Sequence, residues 1–173
     1  ESARDISRCE SCGGGLMETA LSEAIEKWES TIAADGGRCP CCNRFGKIYS
    51  RHFNKTMAWS LLWLWNTGGK NFVDVPNTAP TQVLRSNQLP TVRWWGLIER
   101  KENNDTKNKH SGFWRVTDLG PDIINGKCSM PKTVFTYDAD VVRFGDEHIK
   151  FNDAFHGVFD YSEVMGARYD QAP

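Results

Sequence analysis

Apolar residues recur along this 173-residue chain at two spacings, and the alternation between them lays out its elements. Leu21, Ile25, Trp28 and Ile32 follow one another at four, three and four residues, one stripe of a helix, with Glu18, Glu23, Glu26 and Glu29 mostly on its other faces. Gly36 and Gly37 stop that helix. Residues 57–65 are apolar nearly all round, the pattern of a central helix buried on most sides, and Asn54 is placed to cap it. Residues 72–75 read as a short strand, and 76–88 as a short second helix with Thr81, Gln82, Arg85 and Asn87 facing outward. Leu89, Val92 and Trp95 mark one face of a third helix. Pro90 fits only its first turn, so it is short, and Gly96 ends it in a left-handed turn. Residues 97–101 and 112–117 are β-favouring runs joined by 102–111, which holds three Asn, four formally charged residues and His110 but no large apolar group.

Two further stretches flank this middle. Residues 43–54 predict a helix with Arg44, Lys47, Arg51 and Lys55 on one face and Phe45, Ile48, Tyr49 and Phe53 largely on another. That basic face either lies along a phosphate backbone or simply faces water. After Gly120 and Pro121, residues 123–126 close a brief helix, and 134–137 with 141–144 form a hairpin around a turn at 138–140. Phe155, Phe159 and residues 161–165 read as a terminal amphipathic helix or helix pair. This acidic, aromatic tail packs on the core or forms a homodimer face.

Trp95-Gly96-Leu97-Ile98-Glu99, the polar loop, Gly112-Phe113-Trp114-Arg115-Val116-Thr117 and Asp118-Leu119-Gly120 carry a resemblance. They resemble the end of the recognition helix, the wing and the following helix of winged helix-turn-helix proteins, over about residues 56–125. The resemblance implies three helices against a small antiparallel sheet in which the 72–75 strand pairs with the hairpin. It also implies that Gln88, Thr91 and Arg93 reach base edges in a major groove, where Arg to guanine and Gln to adenine are the common bidentate pairs. Arg85, Lys101, Lys107 and Lys109 would then hold phosphates, with the wing tip in the adjacent minor groove. Winged helices also dock proteins, in which case whichever of Trp94 and Trp95 points away from the core is the anchor. As a whole, with a Cys-Pro-x-Cys knuckle ahead of the winged helix, the chain is similar to uncharacterised bacteriophage-encoded proteins.

The cysteines add a metal to this picture. Cys9 and Cys12 form one C-x-x-C pair, Cys39 and Cys42 a second, and a helix separates them. Two such pairs match a tetrahedral four-cysteine zinc site, with each two-residue insertion turning both thiolates toward one ion; a full set of protein ligands makes the metal structural. A disulfide framework or a redox C-x-x-C are the alternatives. Cys41 is a rival to Cys39 or Cys42 as a ligand or a bystander thiol, His52 could replace a cysteine of the first pair, and Cys128 stands alone as a small apolar filler.

A net charge of −1 hides strong segregation. Residues 1–37 carry three Lys/Arg against eight Asp/Glu, 38–115 thirteen against four, and 138–173 three against eight. A basic centre between acidic arms is what phosphate binding requires, unless the arms fold back and cancel the field. No apolar run approaches a membrane span, and no basic-then-apolar leader pattern opens the chain, so a cytoplasmic location is expected, the bacterial host's if phage-encoded. There is no Gly-rich phosphate loop and no HExxH, and Asp138/Asp140 and Asp146/Glu147 sit where turns want them. A non-enzymatic protein is therefore expected, a metal-dependent nuclease being the enzyme alternative. The expected fold class is α+β: a zinc-binding helical module at 1–54, a winged helix-turn-helix at 55–126, and a C-terminal hairpin and helix extension at 127–173. The expected function is duplex DNA binding by a zinc-stabilised regulator of transcription, or, alternatively, docking of a host protein by a phage adaptor or inhibitor.

Overall fold

A computed structural model describes residues 15–103 and 111–155. The chain divides into two compact units, Glu1–Ile48 and Tyr49–Pro173, and the whole is a mixture of helices and small antiparallel sheets.

In the first unit, α1 (Gly15–Ala33) runs into the two-stranded hairpin of β1 (Gly37–Arg38) and β2 (Phe45–Gly46), paired Gly37 to Gly46 and Arg38 to Phe45. The Gly36 N–H donates to the Thr31 carbonyl at 3.0 Å, and a Cβ on Gly37 would lie 2.5 Å from Thr31 Cγ2, so the strand leaves tight against the last helical turn. Of the apolar stripe, Ile32 is buried and Trp28 half-buried, while Leu21 and Ile25 are exposed.

The helix expected over 43–54 is corrected to two strands. Asn43 adopts φ 58, which ends any helix there, Phe45–Gly46 pair back to β1, and β3 (Tyr49–His52) pairs antiparallel with β8 (Thr133–Tyr137). The backbone donors and acceptors of this stretch are satisfied by strands elsewhere in the chain, and such non-local pairing overrides a weak local helical period.

The second unit is built on α2 (Lys55–Gly68). Asn54 Oδ1 accepts the Met57 N–H at 3.1 Å, the cap the sequence predicts, and Met57, Ala58, Leu61, Leu62, Trp63 and Leu64 are buried around most of the circumference. Each of the Met and Leu side chains contributes roughly 1.5–3 kcal/mol by leaving water. Next come β4 (Val73–Asp74), α3 (Val75–Thr78), α4 (Thr81–Ser86), a 3₁₀ helix over Leu89–Trp95, β5 (Ile98–Arg100), β6 (Phe113–Val116) and α5 (Leu119–Ile124). The three strands form one antiparallel sheet in the order β4-β6-β5, with Val73 opposite Trp114 and Ile98 opposite Val116. The third helix is 3₁₀ because its apolar period is three. Three residues per turn stack Leu89, Val92 and Trp95 in one buried line, whereas an α-helix would fan them over about 120°. Gly96, at φ 70, ends it as expected.

Beyond α5 lie β7 (Met130–Pro131), β8, β9 (Asp140–Phe144), β10 (His148–Ile149) and a 3₁₀ turn at Phe151–Phe155. The second sheet has the order β3-β8-β9. Asp138 and Ala139 both have positive φ, 49 and 68, the two-residue turn whose twist suits a hairpin. This part shares the core of α2: Phe151 meets Phe53 at 6.4 Å between ring centres, and Phe155 meets Trp59 edge-on at 5.8 Å. The terminal helix expected around Phe159 and 161–165 lies outside the described residues.

Candidate functional site

The second cysteine pair sits at the tip of the β1-β2 hairpin. The Cys39 N–H donates to the Arg44 carbonyl at 2.8 Å and the Asn43 N–H to the Cys39 carbonyl at 2.9 Å, folding 39–44 into a closed turn. Within that turn the backbone N–H of Cys42, then that of Cys41, hydrogen-bonds the Cys39 sulfur and holds its thiol below the ordinary cysteine value. Donors aimed at sulfur favour a thiolate, the form that ligates a metal, so this turn fits one half of a tetrahedral thiolate site. Cys39 is half-buried, and Cys41 and Cys42 are exposed. Cys9 and Cys12 lie outside the described residues, and among the described residues no three His, Cys, Asp or Glu converge as a metal site. His52 is on β3, its Nδ1 sharing a hydrogen bond with Thr133 Oγ1 at 2.8 Å.

Replacing the expected helix by strands disperses its basic residues. Arg44 and Lys47 belong to the first unit; Arg51 is on β3 and Lys55 opens α2 in the second, so the four share no helical face. On the third helix, Arg93 is exposed while Gln88 and Thr91 are half-buried. Gln88 Nε2 donates to the Ser86 carbonyl at 3.3 Å and the Thr91 hydroxyl to the Gln88 carbonyl at 2.5 Å, so both spend polar capacity on local backbone. Trp94 is the half-buried tryptophan and Trp95 the buried one. Arg85 is exposed in the last turn of α4, and Lys101 is exposed just after β5, 5.5 Å from the Phe113 ring and 6.0 Å from Phe72. Lys107 and Lys109 lie outside the described residues.

The distribution of counter-charges matters more than the number of cations. Four ion pairs occur among the described residues: Lys70 with Asp118, Arg115 with Glu99, Lys127 with Asp122 and Lys132 with Glu147. Arg51, Lys55, Arg85, Arg93 and Lys101 take part in none of them, so their field reaches solvent.

A second pattern escaped sequence reasoning. The Arg100 guanidinium lies 4.6 Å from the Trp114 ring centre, Arg115 4.6 Å from Phe72, Arg143 3.5 Å from Phe135, and Arg51 5.5 Å from Tyr49 and 5.9 Å from Trp94. Burial, and then the charge of Arg93, lower the Arg100 pKa from its ordinary value, so these two guanidiniums are close enough to repel. Basic residues alternating with aromatics along β strands are the only trace of this in the sequence; which ring meets which cation depends on strand register.

Comparison with models of known protein families finds none that matches, and neither a curated protein nor a solved structure is significantly similar to the chain. Among the described residues no helix is long and apolar enough to cross a membrane.

Proposed function

We propose that this chain is a zinc-stabilised winged-helix protein that binds duplex DNA, with the role of a phage-encoded regulator of transcription. The observation that carries the reading is the sheet order β4-β6-β5, with α2 ahead of β4 and α4 and the 3₁₀ helix between β4 and β5. In a winged helix the first strand pairs with the last, the wing joins the last two, and the third helix precedes the wing. Exposed Arg93 on that helix, Arg85 before it and Lys101 at the base of the wing supply positive charge that no described carboxylate pairs. Because Gln88 and Thr91 are committed to backbone, phosphate contact outweighs base reading, and sequence preference is weak. Cys9, Cys12, Cys39 and Cys42 would hold one structural zinc. When bound, it would cross-link the hairpin tip to the segment that carries Cys9 and Cys12.

The rival is a non-enzymatic adaptor or inhibitor docking a host protein through the same scaffold. Titrating mixed-sequence duplex DNA at several salt concentrations separates the two. Binding whose log K falls linearly with log salt, by about 0.9 per phosphate contacted, supports the DNA reading. No binding at low salt, with a host protein recovered on the immobilised chain, overturns it.

A further inference from the structure

The second sheet brings to the third helix a group of side chains for which a winged module has no use. Tyr49 and Arg51 are two apart on β3, opposite Thr136 and Val134 of β8, and therefore on one face of the sheet. Their β8 partners are buried, yet Tyr49 and Arg51 are exposed, so their side chains project at the margin of the sheet. There the Arg51 guanidinium lies 5.5 Å from the Tyr49 ring centre and 5.9 Å from that of Trp94 on the third helix. Trp94 is held in place, its indole N–H donating to the Ala139 carbonyl at 3.0 Å in the β8-β9 turn. Arg93, the next residue along the helix, is exposed. Neither arginine has a carboxylate partner among the described residues. Two partly exposed rings and one uncompensated cation, Arg51, thus meet along the seam between sheet and helix.

This arrangement does little for stability, because exposed arginines over exposed rings are worth about 0.5–1 kcal/mol each. Its chemistry matches a ligand that offers flat π faces and phosphates together. A duplex offers the phosphates but hides its base faces in the stack; an unpaired strand offers both, and stacking on aromatic side chains with arginines along the backbone is how such strands are held. We propose that Tyr49, Arg51 and Trp94 form a binding site for an unpaired nucleic-acid strand, distinct from the duplex contacts of Arg85, Arg93 and Lys101. The site depends on the second sheet and does not require the duplex reading to hold.

The test uses the full chain and fluorescence anisotropy with three labelled probes: an oligothymidylate and an oligouridylate of roughly twelve nucleotides, within the span that single-strand sites cover, and a blunt duplex. Tyr49→Ala is expected to weaken oligothymidylate binding about 5- to 100-fold, as loss of a stacking ring does, while duplex affinity stays within about twofold. Tyr49→Phe keeps the ring and should bind as the parent. Arg51→Gln should lower the salt slope by about 0.7, one single-strand phosphate contact. Both positions are exposed, and unchanged melting temperatures confirm folded variants. Tighter uridylate than thymidylate binding makes the natural strand RNA, and the reverse makes it DNA. Duplex binding without oligomer binding overturns this proposal alone. Oligomer binding without duplex binding supports it and overturns the duplex reading. Equal loss for both probes in Tyr49→Ala, or no loss in any variant, also overturns it.

Discussion

The Trp95 indole N–H donates to the Pro131 carbonyl oxygen at 2.7 Å, joining the end of the third helix to a strand 36 residues further on. The same ring is 5 % exposed and meets Phe53 edge-on at an interplanar angle of 75°. One side chain therefore links the third helix, Phe53 just ahead of the α2 cap, and β7.

Trp95→Phe keeps an aromatic in that space but leaves the Pro131 carbonyl without its donor. An acceptor stranded in this way costs about 1–3 kcal/mol, so the urea midpoint should fall with an unchanged m-value. Stability equal to the parent would mean that water replaces the indole at no cost.

Gly120 is a matter of space. A Cβ there would stand 2.2 Å from Val116 Cγ1 and 3.1 Å from the Leu97 carbonyl oxygen, where α5 crosses the strand end that Val116 buries. Gly120→Ala should destabilise by about 1–3 kcal/mol through overpacking. Adding Val116→Ala should then cost less than Val116→Ala does in the parent, because the two groups compete for one volume. Additive losses in the urea series would show that the clash is relieved elsewhere.

What could be read in the sequence and what could not divide along contact range. The Asn54 cap, the burial of most of α2 and the Gly96 stop depend on residues within a few positions of one another, both hairpins on runs that follow one another along the chain, and all are present. The strand at Tyr49–His52 was invisible because its partners lie at 133–136, and a local run of alternating basic and apolar residues satisfies either period. The spacing Leu89, Val92, Trp95 identified a helix but equally well encoded its 3₁₀ form, which decides how few side chains face outward. For the candidate sites, the cysteine turn was legible from C-P-x-C, whereas the placing of Arg51 beside Trp94 required a strand register.

Lys70 and Asp118 offer a pH test. The hydrogen bond from Lys70, and then its charge, hold the Asp118 carboxyl below the ordinary aspartate value, with Nζ 2.5 Å from Oδ1. A lowered folded-state pKa contributes stability that is present above the unfolded value and lost as pH falls through the folded one. Both groups are well exposed, so the contribution is small and screened by salt. The readable quantity is the titration itself. Followed by carbon NMR, the Asp118 midpoint should lie below that of a free aspartate and rise toward it in Lys70→Met; a midpoint that does not move would assign the shift to another cause.

Serine in place of Cys39, Cys41 or Cys42 in turn gives two outcomes. The backbone N–H groups of Cys42 and then Cys41 lower the Cys39 thiol from its ordinary value, and the two-residue spacing pairs Cys39 with Cys42. Protein purified without chelator should carry about one zinc per chain by metal analysis. Cys41→Ser should keep it, while Cys39→Ser and Cys42→Ser should each lose most of it. Since binding free energy of a structural zinc is folding free energy, chelation should also lower far-ultraviolet helical signal from Gly15–Ala33. Emission from the tryptophans of the second unit, Trp59, Trp63, Trp65, Trp94, Trp95 and Trp114, should hardly change, because their core is built from Tyr49 onward. Metal retained by Cys39→Ser but lost by Cys41→Ser would move the ligand to Cys41, and a metal-free parent with its helical signal intact would remove zinc from the proposal.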